Sequence, residues 1–145
     1  HVLGMFAPSF FTGHLIRRFG VLQVMLVGGV LSAVCVGINL IGTSLSHFWL
    51  ALFLLGVGWN FLFIGATTLL TETYASEELA KTQALNDFLV FSTVTIAVLS
   101  AGSLQHHLGW RAVNYSVMPL IVVTVIAVVW LLLRRRAAAP VQNTA

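Results

Sequence analysis

The amino-acid sequence predicts an all-α fold: a polytopic bundle of transmembrane helices. Two observations carry this. First, 59% of the 145 residues are hydrophobic and only 8% are charged, whereas a soluble domain carries about 25% charge. Second, the few charges are clustered. No Asp, Glu, Lys or Arg occurs in residues 19–71, 88–110 or 112–133, runs of 53, 23 and 22 residues. A helix needs about 20 apolar residues to cross about 30 Å of hydrocarbon. The two shorter runs therefore hold one crossing each and the long run holds two, giving four full spans.

The elements follow in order. The opening stretch, about 1–13, is apolar but too short for a complete crossing, and it lacks the basic start and the cleavage site of a signal peptide. It reads as the end of a helix, so the chain, which begins with His1, is expected to be N-terminally truncated. Full spans are expected at about 21–43, 48–72, 84–104 and 112–133. The run Gly42-Thr43-Ser44-Leu45-Ser46-His47 divides the long stretch, because Gly, Ser and Thr favour turns and caps. Ser76 is placed to cap the next helix, with Glu77 and Glu78 near the positive pole of its dipole. Gly109 separates the last two spans. Residues 134–145 form a tail that begins with Arg134-Arg135-Arg136 and is expected to be disordered.

Successive connections must alternate sides of the membrane, and Lys and Arg concentrate on the cytoplasmic side. Placing Arg17, Arg18, Lys81 and the Arg134–Arg136 cluster inside leaves Arg111 as the single basic residue outside. The C-terminus is thus expected in the cytoplasm, with the short hairpins at 44–47 and 105–111 outside. The membrane is expected to be the plasma membrane.

Polar and small residues at helical spacing mark faces that meet protein or water rather than lipid. On the first full span these are Gly28, Ser32, Cys35, Asn39 and Gly42, a stripe that suits close helix packing. On the second span Gly56, Asn60, Thr67 and Thr71 share one face, while Gly58 and Gly65 lie on another. An unsatisfied amide at mid-membrane is expensive. Asn60 therefore needs either an interhelical hydrogen bond or a polar cavity, and Asn60, Thr67 and Thr71 are the candidate substrate pathway. The third span carries Asn86, Thr93, Ala97 and Ser100. Asp87 and Glu72 are candidates for a cytoplasmic gate or for plain helix-end charges. The last span, with Thr124 alone interrupting its apolar run from Leu120 to Leu133, is expected to face lipid, to bend at Pro119, and to be anchored by Trp110 and Trp130.

Other classes of function find no support. Cys35, the single cysteine, can form neither an intrachain disulfide nor a multi-cysteine metal site. His106 and His107 are adjacent and cannot share a helix face, so no metal is expected. No phosphate loop, nucleophile elbow or metal-ligand motif is present. No enzymatic activity and no cofactor are expected. The basic residues flank apolar runs instead of forming a patch, so nucleic acid is not an expected partner.

The segment Gly13-His14-Leu15-Ile16-Arg17-Arg18-Phe19-Gly20 resembles the Gly-x-Leu-x-Asp-Arg-x-Gly loop signature of the major facilitator superfamily, with Gly13, Leu15, Arg18 and Gly20 matching. Arg17 stands where the family has Asp, so a charge-relay role for that carboxylate does not carry over. Within the signature, Gly13 permits close helix contact, Arg18 supplies cytoplasmic charge and Gly20 frees the backbone for a turn. The resemblance implies a partial C-terminal half of the family's fold, helices 8 to 12. The polar second span would then be the cavity-lining helix 10 and the apolar last span the peripheral helix 12. Segments Gly58-Trp59-Asn60 and Asn86-Asp87-Phe88 would fall at family-type positions of helices 10 and 11.

The implied function is secondary active transport of a small molecule by alternating access, coupled to a proton or solute gradient. Its partners would be the substrate, the lipid bilayer and the missing N-terminal half. The alternative is a small four-span scaffold or assembly protein. The two readings separate in the upstream reading frame: seven more apolar spans and a second copy of the signature are expected there, whereas a start codon just before His1 would favour the scaffold.

Overall fold

The computed structural model describes residues 1–42 and 44–138, apart from the side chain of Ser76. The expected turn residue Thr43, the proposed Ser76 cap and the tail from 139 to 145 lie outside the described residues. Five helices account for nearly all of the described chain: α1 (Val2–Phe6), α2 (Ser9–Phe19), α3 (Val21–Ile41), α4 (Leu45–Thr71) and α5 (Leu79–Ala138), with a short 3-10 turn at Ser76–Glu78 before α5. Among the described residues there is no strand. The molecule is an all-α membrane helix bundle.

Helix α5 has 60 residues, about 90 Å of helix at 1.5 Å per residue, three times what one crossing needs. Gly109 resolves this. Its φ of +79° and ψ of 178° break the helix in a region open essentially to glycine alone, dividing α5 into arms at 79–108 and 110–138. The second arm returns alongside α3. Trp110 donates its indole N–H to Asn39 O at 3.2 Å, while Val128 packs with Val21, Leu22 and Met25 at the other end of α3. The two therefore run antiparallel. Helices α1 and α2 run alongside α4 in the same direction, since His1 Nδ1 bonds Leu52 O and Thr12 bonds Asn60.

Hydropathy marks the part of a helix that lies in hydrocarbon, and these helices run past it. The opening helix extends through Phe19 instead of stopping near residue 13, so the signature is helical except at Gly20, whose φ is +92°. Arg17 and Arg18 thus occupy the last turn of α2, where positive charge meets the negative pole of the helix. Helix α4 starts at Leu45 rather than 48. The segment 105–108 is helix rather than hairpin, and 134–138 continues the second arm of α5. Pro119 lies inside that arm, where only Gly109 departs from helical dihedrals. Proline removes one bond of the ladder without interrupting the helix here. The same arm shares its apolar surface between protein and lipid: Val128, Leu131 and Leu132 join the core while Leu120, Val123 and Ile126 are exposed.

Close approach of α3 and α4 organises the bundle. A Cβ on Gly28 would meet Gly58 O at 2.9 Å, and one on Gly58 would meet Ser32 Oγ at 2.8 Å and Gly28 O at 2.9 Å. Lower down, Gly65 receives the Met25 side chain. On the opposite side of α4, Gly56 lies against the backbone of His1, Gly4 and Met5. Small residues thus let α4 approach α3 on one face and α1 on another, as the two glycine stripes of the sequence require. Gly28→Ala is expected to lower stability by about 1–3 kcal/mol by forcing the helices apart. Gly37→Ala, at a position with nothing within 4 Å of the new methyl, is expected to raise it by up to about 1 kcal/mol through helix propensity. Thermal unfolding of the detergent-solubilised protein checks the opposite signs.

Candidate functional site

The polar centre of the bundle is built where α1 ends. Pro8 has no backbone N–H to continue a helix, so α1 and α2 are separate elements. On the two sides of the break, Ala7 N–H donates to Leu3 O at the end of α1, and Phe11 and Thr12 N–H donate to Pro8 O at the start of α2. The Met5 carbonyl is left to a side chain: Asn60 Nδ2 donates to it at 2.6 Å and to Ser9 Oγ at 2.6 Å. Thr12 Oγ1 completes the group. Its single proton is shared between Asn60 Oδ1 at 2.7 Å and Pro8 O at 2.8 Å. Thr12 is fully buried and Asn60 is 3% exposed, so the amide uses both hydrogens and its oxygen inside the protein. Sequence reasoning identified Asn60 but not Pro8, Ser9 or Thr12. The proline directly before a bundle-facing serine was the available signal.

The other expected pathway residues do not join this group. Thr67 and Thr71 return their hydroxyls to α4's own carbonyls, Phe63 O at 2.9 Å and Thr68 O at 2.6 Å. Such bonds satisfy a hydroxyl within its own helix. Thr67 is half-buried and Thr71 exposed.

Glu72 caps the C-terminus of α4, an unfavourable place for a carboxylate, and Arg135 offsets it through a 2.5 Å ion pair. Both side chains are 45% exposed, which keeps the pair within about 1 kcal/mol. Asp87 is not in the first turn of α5; it sits about 12 Å along the helix, exposed, with Asn86 Nδ2 at 3.3 Å from its Oδ1. Glu77 and Glu78, in the turn just before α5, hold the dipole position instead.

Of the signature residues, Gly13 has nothing within 4 Å of where a Cβ would stand. The close contact expected there is not made within the described residues, because that face of α2 points away from its neighbours. Gly20 makes the one-residue turn. Leu15 and Arg18 border a cavity of about 580 Å³ between α2, α3 and Phe61 of α4.

A second cavity, of about 400 Å³, lies between α4 and the first arm of α5. Its α4 wall includes Trp59, Phe63 and Ala66; its α5 wall includes Leu89, Thr93 and Val94. The Trp59 and Phe63 rings are nearly parallel, 9° apart with centroids 6.0 Å from each other. Residues four apart share a helix face, so this pair was visible in the sequence as spacing. What the spacing left open was the wall opposite.

This architecture is that of a helical membrane protein, and the chain belongs to the Major Facilitator Superfamily, whose family model matches residues 1–145. It is 47% identical over 96% of its length to the riboflavin transporter RfnT of Brucella anthropi, of which it covers 35%. It is also 31% identical over 90% of its length to the uncharacterized MFS-type transporter YddS of Bacillus subtilis, covering 30% of it. A third relative is the uncharacterized MFS-type transporter YdeG of Bacillus subtilis, 35% identical over 62% of this chain and 21% of its own. The chain therefore spans about a third or less of the length of these relatives. No solved structure matches it.

Removing the Asn60 amide strands Met5 O in the bundle and takes one of the two acceptors of Thr12, leaving Pro8 O. Asn60→Ala is expected to destabilise the protein by about 1–3 kcal/mol, and Thr12→Val by about 0.5–1.5 kcal/mol. Because the two share a bond, the double variant is expected to lose less than the sum. Thermal unfolding of the four proteins of the cycle reads this directly.

Proposed function

We propose that the chain works as the C-terminal part of a secondary active transporter that moves riboflavin across the plasma membrane by alternating access. The observation that carries this reading is 47% identity, over 96% of the chain, to a riboflavin transporter. The fold supports it physically. Alternating access needs rigid helix groups that rock as units about a site near the midplane, and α3, α4 and the second arm of α5 make such a group. The first arm of α5 has no buried residue among those described, leaving a surface for the remainder of the transporter.

In this reading the Arg17, Arg18, Lys81 and Arg134–Arg136 ends face the cytoplasm, as the positive-inside bias favours. Thr67 and Thr71 line the pathway beyond the Asn60 group, and Asn60 acts by holding α1 and α2 against α4. Asp87 and Glu72 are the acidic groups at the cytoplasmic side, and Asp87, whose charge has no basic partner among the described residues, is the place where a coupling proton would act.

Riboflavin-auxotrophic cells expressing the complete transporter are expected to show saturable uptake of labelled riboflavin above vector controls. Asp87→Asn is expected to reduce that uptake several-fold at equal membrane expression and to flatten its dependence on external pH. Absence of uptake from the wild type removes riboflavin as substrate; full activity of Asp87→Asn removes the coupling role.

A further inference from the structure

We infer that the cavity between α4 and the first arm of α5 is a binding site for a planar fused-ring aromatic ligand, with Trp59 and Phe63 as its stacking platform. The inference rests on the proposed riboflavin reading for the identity of the ligand but on the structure for its class. The cavity's volume, about 400 Å³, is within the range of small-ligand sites, about 300–1,000 Å³.

The platform suits a flat ring for a geometric reason. The two rings lie 9° from parallel and stack on each other with centroids 6.0 Å apart, so a planar ligand can extend the stack as a further parallel ring. Aromatic rings prefer such offset stacking to a face-to-face sandwich. The opposite wall is aliphatic, with Leu89 and Val94, and Thr93 is its hydroxyl. Ala66 leaves room at one end where a larger side chain would close the space.

Two further features set this cavity apart. Trp59 and Phe63 are half-buried, whereas Trp110 bonds Asn39 O and abuts Phe48, and Trp130 lies under the Arg134 guanidinium at 4.7 Å. Trp59 thus has neither of the anchoring contacts of those two tryptophans. The cavity also lies between two helices that pack loosely against each other. Riboflavin presents the matching shape: a planar tricyclic isoalloxazine, electron-poor and therefore complementary to an indole, carrying a polar ribityl chain that this apolar cavity would exclude. The ring is expected in the cavity and the chain outside it.

The test uses the complete transporter in nanodiscs, with riboflavin and with lumichrome, the related tricycle that lacks the ribityl chain. Stacking on an indole quenches flavin fluorescence. Wild type is expected to quench both probes; Trp59→Leu and Ala66→Phe are expected to abolish quenching and to raise the KM for riboflavin uptake about tenfold or more, while Trp59→Phe raises it less. Unfolding midpoints and elution profiles near wild type identify the variants that fold, and Ala66→Phe tests the cavity with Trp59 intact.

Riboflavin uptake with KM and quenching unchanged in Trp59→Leu and Ala66→Phe overturns the stacking site and leaves the transport reading standing. Trp59-dependent quenching by lumichrome without any riboflavin uptake does the reverse. A wild type that quenches neither probe overturns the site outright.

Discussion

Helix α4 touches α3 and α1 at backbone distance because it carries glycine where each neighbour crosses it. In a bilayer there is no hydrophobic gain from bringing two apolar helices together, since lipid tails are as apolar as leucine side chains. Contact must come from dispersion and hydrogen bonding, and both decay steeply with distance. At Gly28 and Gly58 the carbonyl of one helix lies 2.9 Å from the Cβ position of the other. Everything else in the bundle is hung on that approach: Met25 can enter beside Gly65, Phe61 can reach the cavity beneath α2, and the second arm of α5 can lay Val125 over Gly29.

The polar groups obey a related constraint. Hydrocarbon provides no partner for a free amide or carbonyl, so a helix break in the membrane has to be answered by some neighbouring group. Here the answer is a single asparagine, which accepts from Thr12 and donates to Ser9 and to Met5 O. The break in α1 and α2 and the amide on α4 are therefore one feature, split between two parts of the sequence. Such a joint ties α1 and α2 to α4 across the break, while Pro8 O still accepts from Phe11 and Thr12 at the start of α2.

Much of this was legible from residue spacing, and the limits were physical. The stripes at Gly28 and Ser32 and at Gly58 and Gly65 announced close neighbours, because only contact explains small residues in an otherwise bulky apolar run. Gly109 announced a break, and it is one. The helix ends were less legible: His14, Arg17, His106 and Arg134 look like loop residues by polarity, yet a helix continues into the headgroup region wherever its own backbone bonds remain satisfied. Asp87 was misplaced for the same reason. The charge-free run began after it, but the helix began earlier, at Leu79.

By itself the sequence determined that the chain is an all-α membrane helix bundle and which helix faces demand a neighbour. These follow from local quantities: apolar length, charge placement and helical period. Only the tertiary structure decided which neighbour each face receives. Asn60 bonds residues 48 to 55 positions away, Glu72 pairs with Arg135 across 63 positions, and Trp59 and Phe63 gain an opposing wall from the first arm of α5. A stripe of small residues states that something comes close, but every helix in a bilayer is apolar enough to be that something. The choice is made by the turns at Gly20 and Gly109 and by the polar groups that must find one another.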